Sequence, residues 1–226
     1  MKPRASFIFL TLLLSAIWTL TLRAEPATDF SRFEKTIAAY EESDRAAPPP
    51  KGAILFTGAS HIRRWTTLAQ DFPQHQVINR GFGGSEIREA THFAPRIIFP
   101  YAPKTIYFRS GGNELWNKKR TAEEAFADFK EFVTTVHAKL PDTDIIYISN
   151  IRSLARASQD DLLKTMNTLI ADYVRGKPHL RYIDVFDLMT DSSGQLRPEC
   201  FVEDRLHLSP AGYKLLTAKV AADMGR

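Results

Sequence analysis

Five short apolar runs separated by stretches of helical periodicity constrain this chain more than anything else in it. The runs are Ala53–Thr57, Gln76–Asn79, Lys104–Arg109, Asp144–Ser149 and Arg181–Val185. Apolar runs of this length that do not alternate with polar residues belong to strands buried on both faces. Between them, "TAEEAFADFKEFVTTVHAKL" sets Thr121 as a cap with Glu124 three residues on, and puts apolar residues at 125, 126, 129, 132, 133 and 136, the signature of a capped amphipathic helix. "SQDDLLKTMNTLIADYVRG" repeats the logic and stops at Gly176, and a last helix opens at Ser209–Pro210, a cap followed by proline at the first helical position. Strands alternating with helices make βαβ units, hence one α/β domain with a five-stranded, mainly parallel sheet covered on both faces.

The segments before the alternation read separately. "DFSRFEKTIAAYEES" at 29–43 spaces Phe30, Phe33, Ile37 and Tyr40 as one helix face, and "RAAPPPKG" ends it, because consecutive prolines favour an extended connector. Residues 25–51 are therefore an N-terminal helix and connector, with the main domain at 52–226. Residues 1–24 have Lys2 and Arg4, then an uncharged apolar run from Phe7 to Leu22, then Ala24. That is the layout of a secretory signal peptide, cleaved to leave a periplasmic or secreted protein; an uncleaved anchor is the rival reading.

The chain has 30 Lys plus Arg against 26 Asp plus Glu. Removal of residues 1–24 takes Lys2, Arg4 and Arg23 and leaves 27 against 26, so the basic balance belongs to the leader and makes no case for nucleic-acid binding. After cleavage no stable membrane insertion is expected. The single Cys200 excludes an intrachain disulfide and a cysteine-based metal site, and reads as a small buried apolar residue.

In sheets of this kind ligands sit at the carboxyl ends of the strands, so the residues there carry the chemistry. Ser60 follows the first strand through "TGA"; it is either a turn residue or a nucleophile whose amide, at a helix start, favours a developing oxyanion. A nucleophilic serine needs a base, and the base an orienting acid. Of six histidines, His207 in "EDRLHLSPAGY" stands out, in a loop before a capped helix with Asp204 three residues earlier, a separation that lets a carboxylate reach Nδ1 while Nε2 faces a partner. His75, His137 and His179 read as surface or capping residues, His92 lies on a helix, and His61 adjoins Ser60, where successive side chains diverge. "NRGFGGSEI" offers backbone donors from a glycine loop, and "SGGNELW" offers the Asn113 amide. Each alone fits a turn; four such elements at successive strand ends supply what one acyl transfer needs.

These motifs resemble, in order, the four blocks of the SGNH hydrolases, the GDSL-like lipase/acylhydrolase family, from about Ile54 to Tyr213. "TGASHI" resembles the first block and implies Ser60 as nucleophile. "NRGFGGS" resembles the second and implies Gly84 as oxyanion-hole donor, with Gly83 a near competitor. "GGNE" resembles the third and implies Asn113 as side-chain donor, and "DRLH" resembles the last, implying Asp204 as orienter and His207 as base. The resemblance implies a flavodoxin-like three-layer α/β/α sandwich and an esterase, lipase or carbohydrate deacetylase activity that needs no metal or other cofactor. Two positions depart: the usual Asp before the serine is Ala59, which would loosen the loop, and the usual Asp after Asn113 is Glu114, which keeps the charge on a longer stem.

The expectation is an exported serine esterase acting on a carbohydrate acetyl ester or a lipid-like ester, with Ser60, Gly84 and Asn113 receiving the oxyanion. A sugar O-acyltransferase and an inactive carbohydrate- or lipid-binding module are the alternatives. Arg88, Trp116 and Arg152 are candidate substrate contacts, with Arg156 a further cation in the same loop as Arg152.

Overall fold

The computed structural model of the protein describes residues 29–117 and 120–225; the expected leader lies outside them. Five strands form one sheet: β1 (Ile54–Gly58), β2 (Val77–Gly81), β3 (Thr105–Arg109), β4 (Asp144–Ile148) and β5 (Leu180–Ile183). Every pairing is parallel and the order is β2-β1-β3-β4-β5, the flavodoxin-like order, with its switch point between β1 and β3. The expected mainly parallel sheet is parallel throughout.

The helices are α1 (Glu34–Ala46), α2 (Ser60–Arg63), α3 (Leu68–Asp71), α4 (Ile87–Ile97), α5 (Gly112–Asn117), α6 (Ala122–Lys139), α7 (Asp160–Val174) and α8 (Pro210–Met224). Successive strand side chains divide between two cores. Leu55, Ile106, Phe108, Ile145 and Tyr147 pack with Ile37 of α1, Ala90 and Phe93 of α4, Phe129 and Phe132 of α6, and Met166 and Ile170 of α7. Ile54, Phe56, Tyr107, Ile146 and Ile148 pack on the other face with Trp65, Leu68 and Phe72, and with Leu216 and Val220 of α8. Each fully buried ring contributes on the order of 1.5–3 kcal/mol, and the central strands β1, β3 and β4 are covered on both faces, while the edge strands β2 and β5 are partly exposed.

Local signals set the ends. Thr121 accepts from the Glu124 amide at 3.1 Å while Glu124 accepts from the Thr121 amide at 2.9 Å, closing a capping box on α6. Ser209 accepts from the Gly212 amide at the start of α8. The N-terminal helix is fastened to the sheet layer: Phe33 and Ile37 join its core, Arg96 pairs with Glu34 and Glu41, and Arg32 pairs with Glu89. Among the described residues no helix is long and apolar enough to cross a membrane.

Candidate active site

The site is built at the switch point, where connections from β1 and β3 leave in opposite directions and open a crevice. β1 ends at Gly58, whose φ of +125° suits glycine alone among the residues. A Cβ there would lie 2.1 Å from the carbonyl oxygen of Arg109 at the end of β3, so glycine is what lets the two strand ends close up. The Ala59 amide then donates to that same Arg109 oxygen at 2.9 Å. The chain turns directly into α2, so Ser60 opens a helix, its hydroxyl at the crevice and its amide without a carbonyl four residues back to bond.

The loop after β5 holds Asp204 and His207 as one local unit. Phe201 bridges Leu208, Val202 N donates to His207 O at 2.9 Å, and Arg205, at φ +57°, donates to Val202 O at 2.8 Å. Inside this turn Asp204 Oδ1 accepts from the amides of Leu206 (2.9 Å) and His207 (2.8 Å), while Oδ2 faces His207 Nδ1 at 2.6 Å. Partial burial works against the charge on Asp204, but the His207 amide and imidazole and the Leu206 amide outweigh it and hold the carboxyl down at about 2. A carboxylate only accepts, so the shared proton sits on Nδ1. His207 Nε2 is thereby free to accept from the Ser60 hydroxyl, 2.9 Å away.

The remaining motifs gather round the same hydroxyl. Gly83 passes close to Ser60: a Cβ on it would stand 3.7 Å from the Ser60 Cβ and 3.3 Å from an Arg63 nitrogen. Gly84 follows at φ +82° inside a turn closed by Ser85 N donating to Phe82 O at 3.2 Å, the conformation glycine provides at the third position of a type II turn. Asn113, buried at the start of α5, donates from Nδ2 to Ser85 O at 2.9 Å and accepts from Arg156 Nη1 at 3.1 Å. The first of these bonds ties the glycine loop after β2 to the loop after β3 and leaves the second amide hydrogen for a ligand.

At the first of the two departures, the Ala59 carbonyl accepts from Ile62 and Arg63 as its amide donates to Arg109, so main-chain bonds close the turn there. Glu114 is pushed towards its neutral form. Its side chain is wholly buried, and this burial, opposed by hydrogen bonds from the Ile87 and Glu114 amides and aided by repulsion from Glu86 and Asp128, drives it up to about 8. It accepts from the first amide of α4.

The model of the GDSL-like lipase/acylhydrolase family matches residues 50–215. The chain belongs to this family. No curated protein matches this acylhydrolase. Among solved structures it is similar to a Streptococcus pneumonia protein provisionally named a platelet activating factor, at 22% identity and TM-score 0.74, covering 84% of this chain and 92% of that one. It is similar to a GDSL-like lipase from Bacteroides thetaiotaomicron, at 16% identity and TM-score 0.69, over 87% and 98%. A mutant acetyl-xylooligosaccharide esterase from Geobacillus follows at 14% identity and TM-score 0.63, over 79% and 96%. At these identities each likeness speaks to the fold.

Beside Ser60 the acylhydrolase has a cavity of about 40 Å³ whose wall combines Arg109, Ser110, Asn113, Arg156 and Gln159 with the apolar Ile151, Leu163 and Leu206. The sequence reading missed several of its residues, His61 and Arg109 among them. His61 turns into this cavity, its ring centroid 5.6 Å from that of His207; burial, then the charges of Arg109 and His207, drive its pKa well down, so the ring is neutral. Arg109 was hidden as the end of an apolar strand, and a lone cation in "TIYFR" was the available signal. Of the candidate contacts, Trp116 is 44% exposed beneath Arg156, with the guanidinium 5.4 Å from its ring. Arg152 pairs with Asp160 and Asp187, and Arg88 lies near Glu86 and Asp128; neither lines the cavity. A larger groove of about 540 Å³ between Arg64 and α8 holds none of Ser60, Asp204 or His207. Among the described residues no three His, Cys, Asp or Glu side chains converge as metal ligands would.

Proposed function

We propose that this acylhydrolase is an exported serine esterase in which Ser60, His207 and Asp204 act as nucleophile, base and orienting acid. One observation carries the reading: Ser60 Oγ, both imidazole nitrogens of His207 and Asp204 Oδ2 stand in an unbroken chain of 2.9 and 2.6 Å contacts. His207 Nε2 takes the hydroxyl proton as Ser60 Oγ attacks the ester carbonyl; the imidazolium is stabilised by Asp204 and returns the proton to the leaving alcohol. Water then attacks the acyl-enzyme, with His207 again as base. The oxyanion is received by the Ser60 and Gly84 amides and the free hydrogen of the Asn113 amide, donors of the kind that each contribute on the order of 10²–10³ in rate.

The small volume of the cavity beside Ser60, about 40 Å³, favours a short acyl ester, as in an acetylated saccharide, over a long-chain lipid ester. The leader at residues 1–24, with its basic start and apolar run, supports export.

Intact-mass analysis after treatment with a fluorophosphonate tests the nucleophile: one adduct is expected on the native chain and none on Ser60→Ala. Hydrolysis of p-nitrophenyl acetate by the native chain but not by Ser60→Ala, with p-nitrophenyl octanoate turned over at least about tenfold less efficiently, tests the substrate class. Labelling that persists without the Ser60 hydroxyl overturns the reading.

A further inference from the structure

Among the described residues, two arginines face the cavity beside Ser60 without a carboxylate to neutralise them. Arg109 is 4% exposed, and among the described residues its one side-chain hydrogen bond runs from Nε to Ser149 O at 3.3 Å. Arg156, half-buried, donates only to the neutral Asn113 amide oxygen and lies over Trp116. Most other arginines in the fold that approach burial meet acids: Arg80 meets Asp44, Arg120 meets Asp128, Arg152 meets Asp160. An unpaired buried charge is costly, and burial does lower both groups, Arg109 to about 10, still charged at neutral pH. His61, which feels both cations, stays neutral and cannot offset them.

The cavity is unsatisfied in a second way. Ser110 Oγ, Gln159 Oε1 and His61 Nε2 all line it, all belong to residues at least nine-tenths buried, and none has a hydrogen-bond partner among the described residues. Its volume, about 40 Å³, compares with roughly 10–15 Å³ for one water, so it has room for a group of a few heavy atoms. Guanidinium forks match the two oxygens of a carboxylate, the Ser110 hydroxyl can donate beside them, and the Gln159 and His61 acceptors suit a hydroxyl carried on the same group.

We propose that Arg109, Arg156 and Ser110 form a carboxylate subsite next to Ser60, and that the natural substrate of this acylhydrolase is a short ester bearing a carboxylate close to the scissile bond. The inference rests on the esterase reading for its substrate but not for its ligand. A carboxylate could enter on the acyl side, as in the half-ester of a dicarboxylic acid, or on the alcohol side, as in an acetylated hydroxy acid or acidic sugar.

The test pairs each source with its neutral amide: p-nitrophenyl hemisuccinate against p-nitrophenyl succinamate, and O-acetylglycolate against O-acetylglycolamide. At constant ionic strength, a KM lower by about tenfold for the charged member of either pair is expected, shrinking towards unity in Arg156→Gln and recovering in Arg156→Lys. The ratio cancels any effect of Arg156 on Asn113. Malonate, but not malonamide, should raise the Tm of the native chain and not that of Arg156→Gln. Turnover of p-nitrophenyl acetate with equal KM values in both pairs and no malonate shift overturns the subsite and leaves the esterase. A malonate shift lost in Arg156→Gln, in a chain that hydrolyses no ester, keeps the subsite and overturns the esterase.

Discussion

His207 Nε2 stands 2.9 Å from Ser60 Oγ although 147 residues separate them, and the contact depends on a proton held on the far side of the ring by Asp204. Asp204→Asn keeps the oxygen that accepts from the Leu206 and His207 amides but turns Oδ2 into a donor, which forces the imidazole into the other tautomer. Esterase kcat should fall on the order of 10³–10⁴-fold with KM little changed; steady-state kinetics on a short p-nitrophenyl ester read this directly. A loss below tenfold would mean that Asp204 does not orient the base.

Asn113 is the only side chain among the proposed oxyanion donors, so it is the one that mutation can remove. Asn113→Ala should lower kcat by about 10²–10³-fold. The same change breaks the bond to Ser85 O, so circular dichroism must first establish that the variant folds. In a folded variant, unchanged kcat would exclude the amide from the hole.

Glu114 makes stability pH-dependent in a direction opposite to most carboxylates. Its folded value of about 8 lies above the ordinary 4.5, so the native state binds more protons than the unfolded chain between those limits. Its contribution is full below about pH 4.5, declines as pH rises, and is gone above about 8, with a slope of at most about 1.4 kcal/mol per pH unit. Glu114→Gln retains an acceptor for the Ile87 amide and should abolish that part of the decline. Urea unfolding at pH 5, 6.5 and 8 measures it, the difference between the two proteins isolating Glu114 from groups common to both. Parallel pH profiles would show that Glu114 is ionised in the native state.

Gly58 is the residue the strand ends cannot replace. Gly58→Ala combines an unfavourable φ with a Cβ driven onto a main-chain oxygen that β3 cannot move without parting from β1. A loss of at least about 2 kcal/mol is expected, seen as a lower urea midpoint. Gly84→Ala, with open space around its Cβ, should cost only the φ strain, about 1 kcal/mol.

Much of the fold was legible because burial on both faces fills the middle of the central strands with apolar residues: Phe56, Tyr107 and Ile146 read as interior. The predicted strand ends fall within two residues of those observed, and since ligands gather at such ends, Ser60, Asn113 and His207 stood out by position. What stayed hidden depends on contacts between distant segments. Arg109 looks like a strand terminus until the missing acid is noticed, His61 looks diverted from Ser60 until α2 wraps it back, and nothing in "GGNE" reveals that α4 will bury Glu114 and push it towards its neutral form. Arg88 and Arg152 looked available because Asp128, Asp160 and Asp187, the acids the fold brings to them, lie farther along the chain.

The turn spanning Val202 to His207 carries its acid and base as a prefabricated cassette, closed by its own main-chain bonds, while the attacking oxygen is rooted in the sheet. The cassette is moored to its surroundings at more than one point, by Ala155 N donating to Arg205 O at 3.0 Å and by Arg64 standing 3.7 Å from Asp204. Its inner geometry and its distance from Ser60 are therefore set by different segments of the chain.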